Sequence, residues 1–225
     1  VNILAFDTSG EVLSIRLETS RTIRNLVIDG ALHHAERLMP EIDEMLKKEE
    51  LSAAKLDLIV TSRGPGSFTG LRIGMATAKG IAVGAHVPLV SVSTLDAMAW
   101  GKKDIATAVL PLIDARKGRF YCALYLSGER VTDYLDLDAE KIQGIIRERM
   151  EKRESELLLT GPGADLFLEQ ISSSPLWMLD PYRREGVGLA LARCGENHYN
   201  QRGADKEGTG PFYLRQSEAE LSRKK

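Results

Sequence analysis

The chain has little with which to cross-link itself or to hold a metal ion. Its 225 residues include two cysteines, Cys122 and Cys194, and four histidines, His33, His34, His86 and His198. The cysteines stand far apart and form no Cys-x-x-Cys pair, so zinc and redox readings lack support, and a reducing compartment is the simplest setting. His33 and His34 are neighbours, whereas an ion held from a helix needs two imidazoles one turn apart. No stretch approaches the ~20 apolar residues that span a bilayer, and no charged segment leads into an apolar core at the start. Charge of one sign is also missing: the formal net charge is −2, so no global field favours direct nucleic-acid binding. The expectation is a cytoplasmic protein with no membrane segment, metal site or cofactor.

Several catalytic signatures are absent too. There is no Gly-x-Ser-x-Gly elbow, and Ser52-Ala53-Ala54-Lys55 matches Ser-x-x-Lys without its companion Ser-Asp-Asn and Lys-Thr-Gly elements. What the chain does have is the stretch from Arg63 to Ala76, Arg-Gly-Pro-Gly-Ser-Phe-Thr-Gly-Leu-Arg-Ile-Gly-Met-Ala. The apolar run Leu56–Thr61 before it suits a strand buried on both faces. Gly64 and Gly66 turn the chain, Pro65 removes a donor that a continuing strand would need, and Ser67 or Thr69 can cap a helix over Phe68–Ala85. No lysine completes a Walker A loop, and Thr69 stands where a dinucleotide fingerprint needs its third glycine. Gly70, Gly74 and Ala78 recur at i, i+4 and i+8, a smooth stripe that lets another backbone come close. The plain reading is helix-on-sheet packing; the stripe tilts the expectation towards a partner.

Taken in order, the chain predicts strands at Ile3–Phe6, Val12–Glu18 and Thr22–Ile28, then a helix from His34 with Leu38, Ile42, Met45 and Leu46 on one face. Pro40 either kinks this helix or marks its start. A strand at Pro88–Val92 and a helix at Thr94–Trp100 follow the central helix. At Ala106 the pattern starts again: strands at Val109–Ile113, Phe120–Leu126 and Arg130–Leu135, a helix at Ala139–Met150, a strand at Leu157–Thr160, and a last helix from Glu185 to about Asn200. Duplicated order predicts an α/β fold of two lobes, 1–104 and 105–225. Asp7, with Thr8 and Ser9, and Asp114 occupy equivalent turns of the two halves. Such acids either hold a metal-bound nucleotide phosphate or accept their own turn amides.

The central motif, together with Ala78-Lys79-Gly80, the opening Phe6-Asp7-Thr8-Ser9, the Asp114-Ala115-Arg116 turn and the ending Pro211-Phe212-Tyr213-Leu214-Arg215, resembles the bacterial TsaB (YeaZ) family along nearly the whole chain. The resemblance implies an ASKHA fold (actin, sugar kinase, Hsp70 type) of duplicated ribonuclease-H-like lobes. It also implies a place in the machinery that makes threonylcarbamoyladenosine at position 37 of tRNA. There a TsaB-type subunit binds its catalytic paralogue TsaD, the ATPase TsaE joins them, and contact with tRNA is indirect. TsaD-like sequences carry His-Leu-Glu-Gly-His where this chain has Thr94-Leu95-Asp96-Ala97-Met98, and a Thr and a Met do not replace two imidazoles.

The expectation is therefore a non-catalytic subunit. The resemblance places its partner surface on two helices of the first lobe, at His34, Leu38, Met39, Ile42 and Met45 on one and at Gly70, Leu71, Gly74, Met75, Ala78 and Ala82 on the other. Alone, that surface is expected to form a homodimer, and Gly74→Leu is expected to abolish association while sparing the fold. The rivals are a phosphotransferase using Asp7 and Asp114 in the cleft between lobes and, more weakly, a peptidase.

Overall fold

The computed structural model describes residues 1–30, 33–150, 156–171 and 174–215. Its elements run β1 (Ile3–Asp7), β2 (Val12–Glu18), β3 (Ile23–Asp29), α1 (His34–Lys48), a 3-10 turn (Ala53–Lys55), β4 (Leu58–Gly64), α2 (Phe68–Ala85), β5 (Leu89–Ser93) and α3 (Thr94–Trp100). They continue with β6 (Ala108–Asp114), β7 (Arg119–Cys122), β8 (Tyr125–Leu126), β9 (Glu129–Arg130), β10 (Leu135–Asp138), α4 (Ala139–Met150), β11 (Leu157–Thr160), α5 (Ala164–Glu169), β12 (Trp177–Leu179) and α6 (Gly188–Arg202). Among the described residues no helix is long and apolar enough to cross a membrane. Two compact units result, one of Val1–Ala97 with Glu185–Phe212, the other of Met98–Arg184 with the chain from Tyr213 on.

The first unit is a sheet of order β3-β2-β1-β4-β5. β1, β2 and β3 are antiparallel neighbours, while β4 and β5 run parallel to β1 after crossover helices. Alternation sorts its side chains to two faces. Leu4, Phe6, Leu13, Ile15 and Leu17 join Leu38, Ile42, Met45 and Leu46 of α1 and Ala78 of α2 in one core. α1 runs through Pro40, which lies inside the helix and not at its start. The other face is covered by α6. Gly195 brings that helix so near that a β-carbon there would lie 2.3 Å from Cγ1 of Val60. Arg16 and Glu18, buried on this face, pair with each other, and Glu18 also takes Arg193 of α6 at 3.1 Å.

This packing corrects the expected division after residue 104. The last helix belongs to the first sheet, because a strand such as β1, buried along its whole length, needs cover on both faces. The periodicity of a helix does not say which sheet it will cover.

The second unit repeats the order. Its main path, β10-β7-β6-β11-β12, reads third, second, first, fourth and fifth strand of its half, as in the first sheet. Phe120 and Phe167 meet edge to face at 5.6 Å, and Phe167 stacks on Trp177 at 6.2 Å, in the core beneath α4 and α5. One departure concerns the expected strands 120–126 and 130–135. The first is broken: β7 and β8 both pair with β6 in one register, and the gap at Ala123 and Leu124 falls opposite Pro111 and Leu110. Pro111 has no amide to give to Ala123, while Leu124, whose polar groups point away from β6, bonds Thr132 Oγ1 and the amide of Val131. A small β8–β9 hairpin therefore takes up the residues around Arg130, and the third main strand comes later, at Leu135–Asp138.

Candidate functional site

Asp7 ends β1 with its carboxylate turned onto its own backbone. Oδ1 accepts the Ser9 amide at 2.8 Å and also the Ser62 hydroxyl. Asp114 repeats the device: its Oδ1 accepts the Arg116 amide at 2.7 Å, and the Arg116 guanidinium stands 3.3 Å from its Oδ2. Of the two chemistries such acids allow, the geometry present is the turn-closing one.

The Asp7–Ser9 turn is in turn the seat of α2. Thr8 donates Oγ1–H to the Gly70 carbonyl at 2.7 Å, the Ser67 amide donates to the Ser9 carbonyl at 2.6 Å, and Ser67 caps the helix by accepting the Gly70 amide at 3.3 Å. A β-carbon on Gly70 would lie 1.9 Å from the Thr8 carbonyl oxygen, and one on Gly74 would lie 2.4 Å from Thr8 Oγ1. The backbone that the smooth stripe admits is therefore the chain's own. One step earlier Gly64, with φ of +114°, faces the Phe212 carbonyl, and the Phe212 amide donates to Arg63 O at 2.6 Å.

This reverses most of the expected partner surface. Gly70, Leu71, Gly74, Met75 and Ala78 are buried, as are His34, Leu38, Ile42 and Met45, and Ala82 packs half-buried against the same core. His34 donates Nε2–H to the Gly10 carbonyl at 2.9 Å, so it pins α1 to the β1–β2 turn. Of the named residues, Met39 alone stands clear, 47% exposed. The outward side of α2 carries residues the sequence reading passed over. Ala76, Gly80 and Gly84 repeat the i, i+4, i+8 spacing on the exposed side, Val83 beside them is 75% exposed, and nothing approaches the β-carbon positions of Gly80 and Gly84. The same spacing rule would have found this second stripe; spacing alone does not say which stripe faces inward.

Thr94 and Met98 are the two positions at which the resemblance puts histidines in TsaD-like sequences. Thr94 is fully buried with its hydroxyl unpartnered, and Met98 places its sulfur 3.2 Å from where a β-carbon on Gly161 would sit. Among the described residues no three His, Cys, Asp or Glu side chains are grouped to hold a metal ion. The thiol of Cys122 is pushed up to about 12, chiefly by burial and further by Asp136, which takes it out of nucleophilic chemistry at neutral pH. Asp180 was not foreseen. It receives Lys102 Nζ at 2.8 Å, Thr160 Oγ1 at 2.6 Å and the Tyr182 amide at 3.0 Å. Burial by itself would raise its pKa, but these donors outweigh it and hold the carboxyl below its ordinary value.

Two sheets of one strand order, each an antiparallel three-strand start followed by parallel crossovers, define the duplicated ribonuclease-H-like class to which actin, sugar kinases and Hsp70 belong. Within that class the comparisons are specific. The family model for TsaD, tRNA N6-adenosine threonylcarbamoyltransferase, matches residues 29–169. The tRNA threonylcarbamoyladenosine biosynthesis protein TsaB of Escherichia coli is 36% identical over 166 residues, 72% of each chain, and that of Bacillus subtilis is 28% identical over 98% of this chain and 96% of its own. The solved structure of YeaZ from Pseudomonas aeruginosa superposes with a TM-score of 0.79 at 25% identity, covering 95% of this chain and 99% of that one. The chain belongs to this TsaD-related family, in its TsaB (YeaZ) branch.

Proposed function

We propose that this chain is a non-catalytic subunit of the machinery that installs threonylcarbamoyladenosine at position 37 of tRNA, and that it activates a TsaD-type paralogue by docking on it. The relatives' names supply the pathway, and one observation carries the role: the exposed stripe Ala76, Gly80 and Gly84 on α2, with the exposed Val83 beside it and Met39 exposed on α1. A helix without side chains on its outer face lets a partner helix approach closely, and isolated apolar side chains at its rim add buried area. The ATPase TsaE joins through the resulting complex, and tRNA is met mainly by the paralogue. The phosphotransferase reading is disfavoured because Asp7 and Asp114 are committed to their own turns, and the peptidase reading has neither a grouped metal-ligand set among the described residues nor a nucleophile elbow in the sequence to support it.

The test is reconstitution of tRNA threonylcarbamoylation from purified paralogue and ATPase, with this chain, without it, and with Gly80→Leu or the double variant Asp7→Asn/Asp114→Asn. Activity is expected to require the chain, to fall with Gly80→Leu and to survive the two amide substitutions. Loss of activity in the double variant with the complex still assembled would transfer the function to the acidic turns.

A further inference from the structure

The ending Pro211-Phe212-Tyr213-Leu214-Arg215 belongs to the motifs by which the chain resembles its family, yet the docking stripe makes no use of it. The chain leaves the first unit at Phe212 and enters the second at Tyr213. On each side of that crossing a residue is fastened firmly, and each fastening lies within its own unit.

The first fastening is at the root of α2. The Phe212 amide donates to Arg63 O at 2.6 Å, and the Arg63 guanidinium lies 5.5 Å from the centre of the Phe212 ring. The Phe212 carbonyl oxygen would stand 2.4 Å from a β-carbon on Gly64, so only a glycine there admits this backbone. Arg63 and Gly64 end β4, and Ser67, three residues on, caps α2 and donates its amide to the Ser9 carbonyl. A pull on Phe212 therefore acts on the turn that aims α2.

The second fastening is a guanidinium fork. Arg215 donates Nε–H to Asp136 Oδ2 at 2.8 Å and one terminal N–H to Asp136 Oδ1 at 2.7 Å, while its other terminal nitrogen donates to the Ala115 carbonyl at 2.9 Å. Its guanidinium carbon lies 5.7 Å from the centre of the Tyr121 ring, and Arg119 donates to the same Asp136 Oδ1 at 2.8 Å. Burial alone would raise the Asp136 carboxyl, but Arg215 and Arg119 outweigh it and hold it below its ordinary value. A two-pronged, part-buried pair is stronger than an open surface pair and fixes direction as well as distance. Between the two fastenings lie only Tyr213 and Leu214, a path of at most about 11 Å when fully extended, with little slack to absorb movement of either end.

We propose that residues 212–215 are a strap through which the Arg215–Asp136 clamp of the second unit steadies the root of α2 in the first, making Arg215 a positioning residue for the docking helix. Its use in docking rests on the function proposed above; the strap itself does not, and two readouts separate them. In the full chain alone, Arg215→Ala is expected to speed hydrogen exchange of the Ser67 and Leu71 amides at least about fivefold, although the bonds of Arg215 named above all lie in the second unit. Gly-Gly inserted between Tyr213 and Leu214 keeps both fastenings but slackens the path. It is expected to have the same effect, and Arg215→Ala on top of it is expected to add nothing at those amides. Arg183→Ala, which removes the pair with Asp165 elsewhere in the second unit, is expected to leave them unchanged. Affinity for the purified paralogue, by calorimetric titration, is expected to fall about fivefold with Arg215→Ala and with the insertion. Amides at the α2 root that ignore Arg215→Ala or the insertion, or that respond equally to Arg183→Ala, overturn the strap. Faster exchange with native affinity in both variants overturns the positioning role. A native chain that does not bind the paralogue sinks the docking function instead, and the exchange rates still decide the strap.

Discussion

Helix α2 carries two stripes of small residues with identical spacing and opposite destinies. Gly70, Gly74 and Ala78 face inward, where the Asp7–Ser9 turn lies against them so closely that no side chain fits. Ala76, Gly80 and Gly84 face outward into open space. A small residue is thus required at one stripe and merely present at the other, and the difference lies in what stands opposite. Smoothness records close approach by a neighbour; only the fold tells whether the neighbour is the chain itself or another molecule.

The comparison breaks most sharply at Gly74. Leucine there would drive its β-carbon onto Thr8 Oγ1, and the expected cost is upward of about 3 kcal/mol, read as a lower midpoint in denaturant unfolding. If that variant keeps native stability, the inner stripe is not a packing seam. The outer stripe should behave in the opposite way. Gly80→Leu is expected to leave folding unchanged or to strengthen it by up to about 1 kcal/mol, since a glycine inside an exposed helix turn is unfavourable. The same change should weaken association with the paralogue at least about tenfold, or ~1.4 kcal/mol, by calorimetric titration. Unaltered affinity would remove the outer stripe from the interface. Smallest is Thr8→Val, which keeps the shape but removes the hydrogen bond to the Gly70 carbonyl. About 1 kcal/mol of stability should be lost, and paralogue affinity, if the two stripes are independent, should not move.

Much of the fold could be read because its causes are local. The apolar run into β4, the glycine turn and the Ser67 cap lie within a dozen residues, and each has its effect where it stands. The two-half plan was readable because the order of elements recurs and a turn acid follows the first strand of each half, at Asp7 and Asp114. What escaped was non-local. Pro111 breaks a strand other than its own, through the amide it cannot offer to Ala123. Asp180 depends on Lys102, 78 positions away, to be tolerated in the interior. For the candidate site, residue type and helix were legible at α1 and α2, but facing was not: Leu38 and Ile42 are apolar because they fill the core, and the same property made them look like contacts.

The placement of α6 also sets a timetable. β1, β2, β4 and β5 are synthesised within the first 93 residues, yet the face bearing Val60 and Ile3 stays bare until residues 188–202 arrive. During synthesis the earlier half must therefore wait, with apolar surface open, while the main segment of the second unit, Met98–Arg184, is made ahead of the helix that covers it. The sheet that begins first is completed only after most of the second unit has been made.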